Sequence, residues 1–310
     1  MLLYKYYSPK LRNFEAVIDR KFWFATNKKL NDPYDLYSGR FLLELPATTD
    51  KKIHERIIEI IERGTSSRSK SKALLSEIER DFQKIASCSF STNPIDRLMW
   101  GHYADGYSGF CICIEIDDSL IDGGYSQSEK WHRVMYMDQM PFALLGQRTS
   151  TRSNKIHDTD RGYGLIQDIC TNMDGQKTPN TNQYNMIGLE DMIFAYLSGN
   201  DVIKTQSLNR YVTQMLCIKA QEWIYEQEYR LIKTITSPDG ELVSWDNNIT
   251  LKEVILGNNI SDFVIDENNR QYSIKNILRS VQQNHLNVKI TKLSLNNLRY
   301  FALNKQPYKL

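Results

Sequence analysis

The chain has little of what marks a specialised fold. Its 310 residues hold five cysteines, Cys88, Cys111, Cys113, Cys170 and Cys217, with no CxxC pair. An odd, scattered set argues against a disulfide framework or a structural zinc site. The apolar neighbours of Cys88, Cys111, Cys113 and Cys217 predict small buried hydrophobes instead. No run approaches the ~20 apolar residues that a membrane-spanning helix needs. The opening Met1-Leu2-Leu3-Tyr4-Lys5-Tyr6 lacks the apolar stretch of a signal peptide. A reduced, cytoplasmic setting is therefore expected. Neither sign of charge dominates: 39 Lys and Arg face 37 Asp and Glu, a formal net charge of +2. Such a balance gives no global electrostatic drive toward tight non-specific nucleic-acid binding. GxxxxGK[ST], GxGxxG, HExxH and GxSxG are all missing, which removes the common nucleotide-loop, zinc-protease and hydrolase signatures.

What remains is an ordinary globular composition, 41% hydrophobic and 25% charged, on a chain long enough to bury a substantial core. Its one oddity is aromatic: 18 Tyr, 11 Phe and 5 Trp, many beside the same polar residues. Strands are predicted at Leu2 to Tyr7, Lys21 to Thr26, Ser87 to Ser91, Phe110 to Ile116 and Trp131 to Met137. A short helix with Asn13 as N-cap is predicted up to Asp19. Two helices separated by Gly64-Thr65-Ser66-Ser67 fill Lys51 to Ala86, and more follow at Ile187 to Leu197 and Val202 to Lys219. The C-terminal part reads as strand (Glu253 to Leu256), helix (Ile274 to Gln283) and two strands (Val288 to Leu293, Tyr300 to Leu303). The order predicts one α+β domain over residues 1–310, a mixed β-sheet core with helical insertions. The polar, turn-rich stretch 146–185 reads as an insertion or mobile loop within it.

Four clusters are candidates for chemistry. In Tyr4-Lys5-Tyr6, strand alternation points Lys5 away from both tyrosines, so either the lysine or the tyrosines face a cleft. Asn31-Asp32-Pro33-Tyr34-Asp35 is a turn that brings Asn31, Asp32 and Asp35 together as cleft candidates or stiffens a corner. Ser89-Phe90-Ser91 puts both hydroxyls on one strand face. The segment from Leu98 to Gly109 crowds Trp100, His102, Tyr103, Asp105 and Tyr107 between glycines, which suits a planar-ring pocket as well as a packed loop. The last block runs from Lys219 to Arg230 and includes Tyr225. If Glu226 to Ile232 is a strand, Glu226, Glu228 and Arg230 share one face. Two carboxylates and a guanidinium in one row are either a solvated face or a cleft, since burying them unpaired is costly.

Together these clusters resemble a bacterial family known only as a domain of unknown function, with lYKY, NDPfD, cfS, MWxHYA and WxyExEyR motifs and a closing VixG strand. Here the motifs read Leu3-Tyr4-Lys5-Tyr6, Asn31 to Asp35, Cys88-Ser89-Phe90, Met99 to Glu115, Lys219 to Arg230 and Val254-Ile255-Leu256-Gly257. More remotely, the layout is similar to the ADP-ribosyltransferase superfamily, which splits nicotinamide from NAD and transfers ADP-ribose. That resemblance implies a first-strand polar residue (Lys5 or Tyr6), a Ser-x-Ser strand (Ser89, Ser91) and a late strand with a catalytic glutamate. It implies Glu228 as that carboxylate, Glu226 as an orienter of acceptor or ribose, and Trp23, Trp100, His102 and Tyr103 as a nicotinamide wall. Lys5 and Arg230 would hold pyrophosphate. A carboxylate on the ribose hydroxyls would stabilise the oxocarbenium-like state through which the glycosidic bond breaks.

The leading expectation is thus an ADP-ribosyltransferase-like enzyme with NAD as substrate, a bacterial toxin or phage-defence effector. A protein or nucleic-acid acceptor and an antitoxin or defence partner would accompany it. One alternative is a metal-dependent nuclease using Asp32, Asp35, His102 and Glu228 on Mg²⁺ or Mn²⁺. Another is a non-catalytic sensor whose cleft binds a nucleotide-like small molecule without reacting.

Overall fold

A computed structural model describes residues 1–26, 68–121, 130–137, 195–296 and 302–310. Asn31, Asp32, Asp35, Cys170, the first helix of the 51–86 pair and the stretch 146–185 lie outside the described residues.

The fold is α+β, organised on a mixed eight-stranded sheet in the order β14-β13-β10-β4-β1-β3-β8-β5. Its strands are β1 (Leu2–Tyr7), β3 (Ile85–Ser91), β4 (Phe110–Glu115), β5 (Trp131–Arg133), β8 (Glu228–Thr234), β10 (Thr250–Leu256), β13 (Lys289–Asn296) and β14 (Ala302–Pro307). Neighbours run antiparallel except β10 and β13, which are parallel with helix α5 (Ile274–Asn284) among the elements between them. β4 reads Phe-Cys-Ile-Cys-Ile-Glu, apolar on both faces, as its place between β1 and β10 requires.

The two halves of the sheet meet at a single paired position. β1 pairs with β4 along its whole length, from Leu2 opposite Glu115 to Tyr7 opposite Phe110, but with β3 only at Tyr4 opposite Ser91. Beyond that point β1 and β3 part.

One face of the sheet packs on α1 (Leu11–Ile18) and α5 and buries Leu3, Tyr7, Phe14, Cys88, Phe90, Phe110, Leu231 and Leu278. Rings fill much of it: Phe14 stacks on Phe110 at 3.9 Å, and Phe90 meets Trp131 edge to face at 4.7 Å. Asn13 is not the N-cap of α1. Lys10 occupies that position, and the Asn13 amide donates to the Ser8 carbonyl from inside the first turn.

The opposite face carries Tyr4, Tyr6, Cys111, Cys113 and Ile255 beneath α3 (Arg97–Tyr103). A two-stranded parallel sheet of β6 (Met135–Met137) and β7 (Ile218–Ala220) joins it, following α4 (Asp201–Leu216). Lys219, expected at the end of a helix, therefore stands on β7. α4 is tied to α2 (Arg68–Phe82) by Lys204 and Glu77 at 2.7 Å. β2 (Lys21–Phe24) pairs with β9 (Glu241–Ser244), and a hairpin of β11 (Phe263–Ile265) and β12 (Gln271–Ser273) stands apart from the main sheet. Among the described residues no helix is long and apolar enough to cross a membrane. Cys88, Cys111, Cys113 and Cys217 are buried, as their neighbours predict, and among the described residues none of them forms a disulfide.

Candidate functional site

Side-chain parity decides which residues can meet. Ser89 faces Arg230 and Ser91 faces Glu228 across β3 and β8, and Tyr4 faces Ser91 across β1 and β3. Cross-strand partners share a sheet face. Tyr4, Tyr6, Ser89, Ser91, Glu228 and Arg230 therefore point to the α3 side. Lys5 points to the other side, with Nζ 5.1 Å from the centre of the Phe90 ring and 5.6 Å from that of Tyr7. The alternation in Tyr4-Lys5-Tyr6 is thus resolved in favour of the tyrosines, and Lys5 is no ligand for a group at Glu228. Its ammonium donates instead to the Ser89 carbonyl at 3.1 Å, a strand acceptor left without a β1 partner where the two strands part.

Glu226 does not lie on the strand. A 3-10 helix spans Gln221–Glu226, and Gln227 then takes a left-handed conformation (φ 44°) that reverses the chain before β8 begins at Glu228. Thr92 holds this turn, its hydroxyl donating to the Gln227 side-chain carbonyl at 2.8 Å. The shared face expected for Glu226, Glu228 and Arg230 is therefore wrong for Glu226. Its carboxylate nevertheless reaches the same place from the helical turn.

Four buried charges meet there. Arg230 grips Glu228 with two bonds, Nε to Oε1 at 2.7 Å and Nη2 to Oε2 at 3.0 Å. Its Nη1 donates to the Leu216 carbonyl, which closes α4, at 2.5 Å. Lys219 donates to Glu226 Oε2 at 2.6 Å and approaches Glu228 Oε2 at 3.4 Å. Tyr103 donates to Glu226 Oε1 at 2.5 Å, and Tyr136 accepts from the Glu228 backbone N–H at 2.8 Å. The Ser89 hydroxyl also bonds Glu228. Two positive and two negative groups leave the cluster neutral, which is the condition for burying it.

The carboxylates differ in consequence. Burial alone would raise Glu228, but the charges of Arg230 and Lys219 and the bonds from Arg230 and Ser89 overcome it and hold the carboxyl down to about 2. Burial and the Glu228 charge push Glu226 above its ordinary range, with Lys219 and Tyr103 opposing. Burial and the neighbouring Glu226 raise Tyr103, so it remains a neutral donor.

Rings surround the cluster on its outer side. His102 is exposed, and its ring lies 6.3 Å from Tyr103 and 6.4 Å from Tyr225. Trp223 stands 6.0 Å from Tyr225 with Lys219 Nζ 4.9 Å from its centre. Trp100, expected in this wall, is fully buried. Its indole N–H donates to the Pro94 carbonyl at 2.9 Å and Tyr6 meets it edge-on at 5.3 Å. Trp23 is 45% exposed on β2, over Gly240, and meets none of these groups. Tyr6 and Ser91 support rather than line the site: the Tyr6 hydroxyl donates to the Asn93 carbonyl at 2.6 Å, and Ser91 Oγ accepts from the Asn93 N–H at 3.0 Å.

Ser89, Tyr103, Glu226, Glu228 and Arg230 are thus brought together, with His102 and Tyr225 at the lip. Lys5, Trp23 and Trp100 are not. Lys219 and Tyr136 join them unpredicted. Lys219 opens the Lys219-to-Arg230 block, so its place could have been read from the two acids that follow it; nothing in the sequence marked Tyr136. Among the described residues no three His, Cys, Asp or Glu side chains stand where they could hold a metal ion.

The fold and site define an α+β protein with a buried, charge-neutral acid pair beneath an aromatic lip. Residues 99–231 match the family described as "Protein of unknown function (DUF2971)", the uncharacterised domain family to which the motifs point. The matched range starts in α3, ends in β8 and contains every member of the charge cluster. No curated protein and no solved structure matches the chain.

Proposed function

We propose that this protein is an ADP-ribosyltransferase-like enzyme that cleaves NAD at the lip formed by His102, Tyr103 and Tyr225. One observation carries the reading. The first strand, the Ser-x-Ser strand and the late glutamate strand, far apart in sequence, lie side by side as β1, β3 and β8. Their polar residues share one face, with Tyr4 opposite Ser91 and Ser91 opposite Glu228. On this reading the lip rings stack on the nicotinamide, and Glu228 supplies fixed negative charge against the developing oxocarbenium. Lys219 is the most distant of its charged partners, at 3.4 Å from Oε2. By displacing that contact, a ribose hydroxyl could bond Oε2 without disturbing the grip of Arg230.

Purified protein incubated with NAD labelled in the ADP-ribose moiety, together with a cell extract, tests the proposal. The wild type is expected to release nicotinamide and label a macromolecule, and Glu228→Gln to do neither. His102→Ala and Tyr225→Ala, which touch only the lip, are expected to raise KM more than they lower kcat. A folded wild type that releases no nicotinamide, or a fully active Glu228→Gln, overturns the reading.

A second reading has an observation of its own. The Glu228 side chain is only 3% exposed and doubly bonded to Arg230, as a structural ion pair would be. On that reading the lip binds a nucleotide-like ligand without cleaving it, and NAD bound to the protein is recovered intact after long incubation.

A further inference from the structure

We propose that Lys219 is a positioning residue whose ammonium, shared between Glu226 and Glu228, holds both carboxylates beneath the lip and decides which of them can take up a proton. It deepens the reading above by assigning the regulation of that same acid pair, and its test is separable from it.

The argument is one of charge count and reach. Glu228 is secured by Arg230 through two bonds and needs Lys219 least, at 3.4 Å. Glu226 has Lys219 at 2.6 Å as its cationic partner and Tyr103 as its neutral one. Among the described residues, the groups facing Glu226 are Lys219 from β7, Glu228 from β8, Tyr103 from α3, Tyr136 from β6 and Tyr225 from its own turn, with Arg230 on the far side of Glu228. Of these only Lys219 and Arg230 are positive, and Arg230 is spent on Glu228. Without the Lys219 ammonium the buried cluster carries a net charge of −1. The smallest response is uptake of one proton, and Glu226, lacking a guanidinium, is where it goes. The Lys219 ammonium also lies 4.9 Å from the centre of the Trp223 ring, so the one group touches both the rings and the acids.

The test uses the full chain with ¹³C-labelled glutamate carboxyl groups, titrated by NMR, and needs no NAD. The Glu226 resonance is assigned by its loss in Glu226→Gln. An opposite charge within about 4–6 Å lowers a carboxyl pKa by about 1–3 units, so Lys219→Met is expected to move the Glu226 titration up by that amount and Lys219→Arg to restore most of it. A Glu226 midpoint unmoved by Lys219→Met, or a shift on Glu228 instead, overturns the proposal. Should Lys219→Met melt too low to titrate, the double variant Lys219→Met/Glu226→Gln keeps the cluster neutral. It is expected to melt above Lys219→Met, and melting below it overturns the proposal equally. If the midpoint moves while no nicotinamide is ever released, the role of Lys219 stands and the NAD reading falls; the converse result removes Lys219 alone.

Discussion

Arg230→Met separates what the buried pair does for folding from what it does for any chemistry. The change removes both charged bonds to Glu228 and the bond to the Leu216 carbonyl, while keeping an unbranched stem of similar reach. Glu228 is left buried with Lys219 at 3.4 Å as its remaining cation. Breaking a buried ion pair from one side costs about 3–5 kcal/mol, because the surviving charge has lost its compensation. Against burial, Arg230 and Lys219 together hold the Glu228 carboxyl down to about 2, so this stability also depends on pH. The sign follows from the depression: the contribution is complete above pH 4.5 and is lost as pH falls from there toward 2. For a chain of this size ~3–5 kcal/mol lowers Tm by roughly 5–8 °C. The assay is thermal unfolding by near-ultraviolet circular dichroism at pH 7 and at steps down to pH 3. Arg230→Met should melt lower at pH 7 and lose less further stability on acidification, since its Glu228 protonates more easily. Equal melting at pH 7, or identical acid slopes, would refute the account of Glu228 as a clamped carboxylate.

Three further outcomes rest on separate parts of the fold. His285 is buried beside Trp245 with Nε2 2.7 Å from the Val17 carbonyl, and burial lowers its pKa below the ordinary 6.5. The unfolded chain then takes up the proton first, so stability should fall as pH drops below 6.5, and His285→Gln should flatten that part of the stability–pH curve in denaturant melts. A Cβ on Gly257 would stand 2.0 Å from the Tyr107 carbonyl oxygen, within a backbone lattice where Gly257 N–H donates to Gly109 and Asn259 N–H to Tyr107. Gly257→Ala should therefore cost about 2–4 kcal/mol. Gly101→Ala, with nothing within 4 Å and a helical position, should be neutral or stabilising by up to about 1 kcal/mol in the same melts.

Periodicity was a good guide wherever one face of an element is apolar. β1, β3, β4, β10 and α5 lie within a few residues of where their patterns put them, because burying an apolar stripe fixes both element and register. It misled where a turn intervenes without glycine or proline. Gln227 adopts a left-handed conformation with a side chain, held by Thr92, which follows the end of β3 far away in sequence. No local pattern announces such a turn, and strand parity assigns Glu226 to the wrong face with it. Trp100 departs from its sequence expectation for a related reason. An aromatic residue among glycines reads as accessible, yet the helix cap at Asp96, whose side chain accepts from Met99 N–H, starts a short helix that turns Trp100 inward.

Where the sheet divides explains why the charged cluster is tolerable at all. Glu228 and Arg230 sit on β8, two strands from β1, and their cross-strand neighbours on β3 are the polar Ser91 and Ser89. β1 and β3 share one paired position and then separate, and Lys5 reaches into the parting to satisfy the Ser89 carbonyl. The lysine that the sequence offers as a ligand is thus spent on closing the gap from the α1 and α5 side. The gap's other side is left to Tyr4, Tyr6 and the serines, which are polar, short of charge and hydrogen-bonded. The four charges beyond them cancel in pairs, and the Lys219–Glu226 pair alone lies against the rings of the lip. A ligand arriving at His102 and Tyr225 would therefore meet the Glu226 side of the cluster first. It would reach Glu228 only by displacing the contact at 3.4 Å, which makes Lys219 rather than Arg230 the group that must yield for any chemistry at the strand carboxylate.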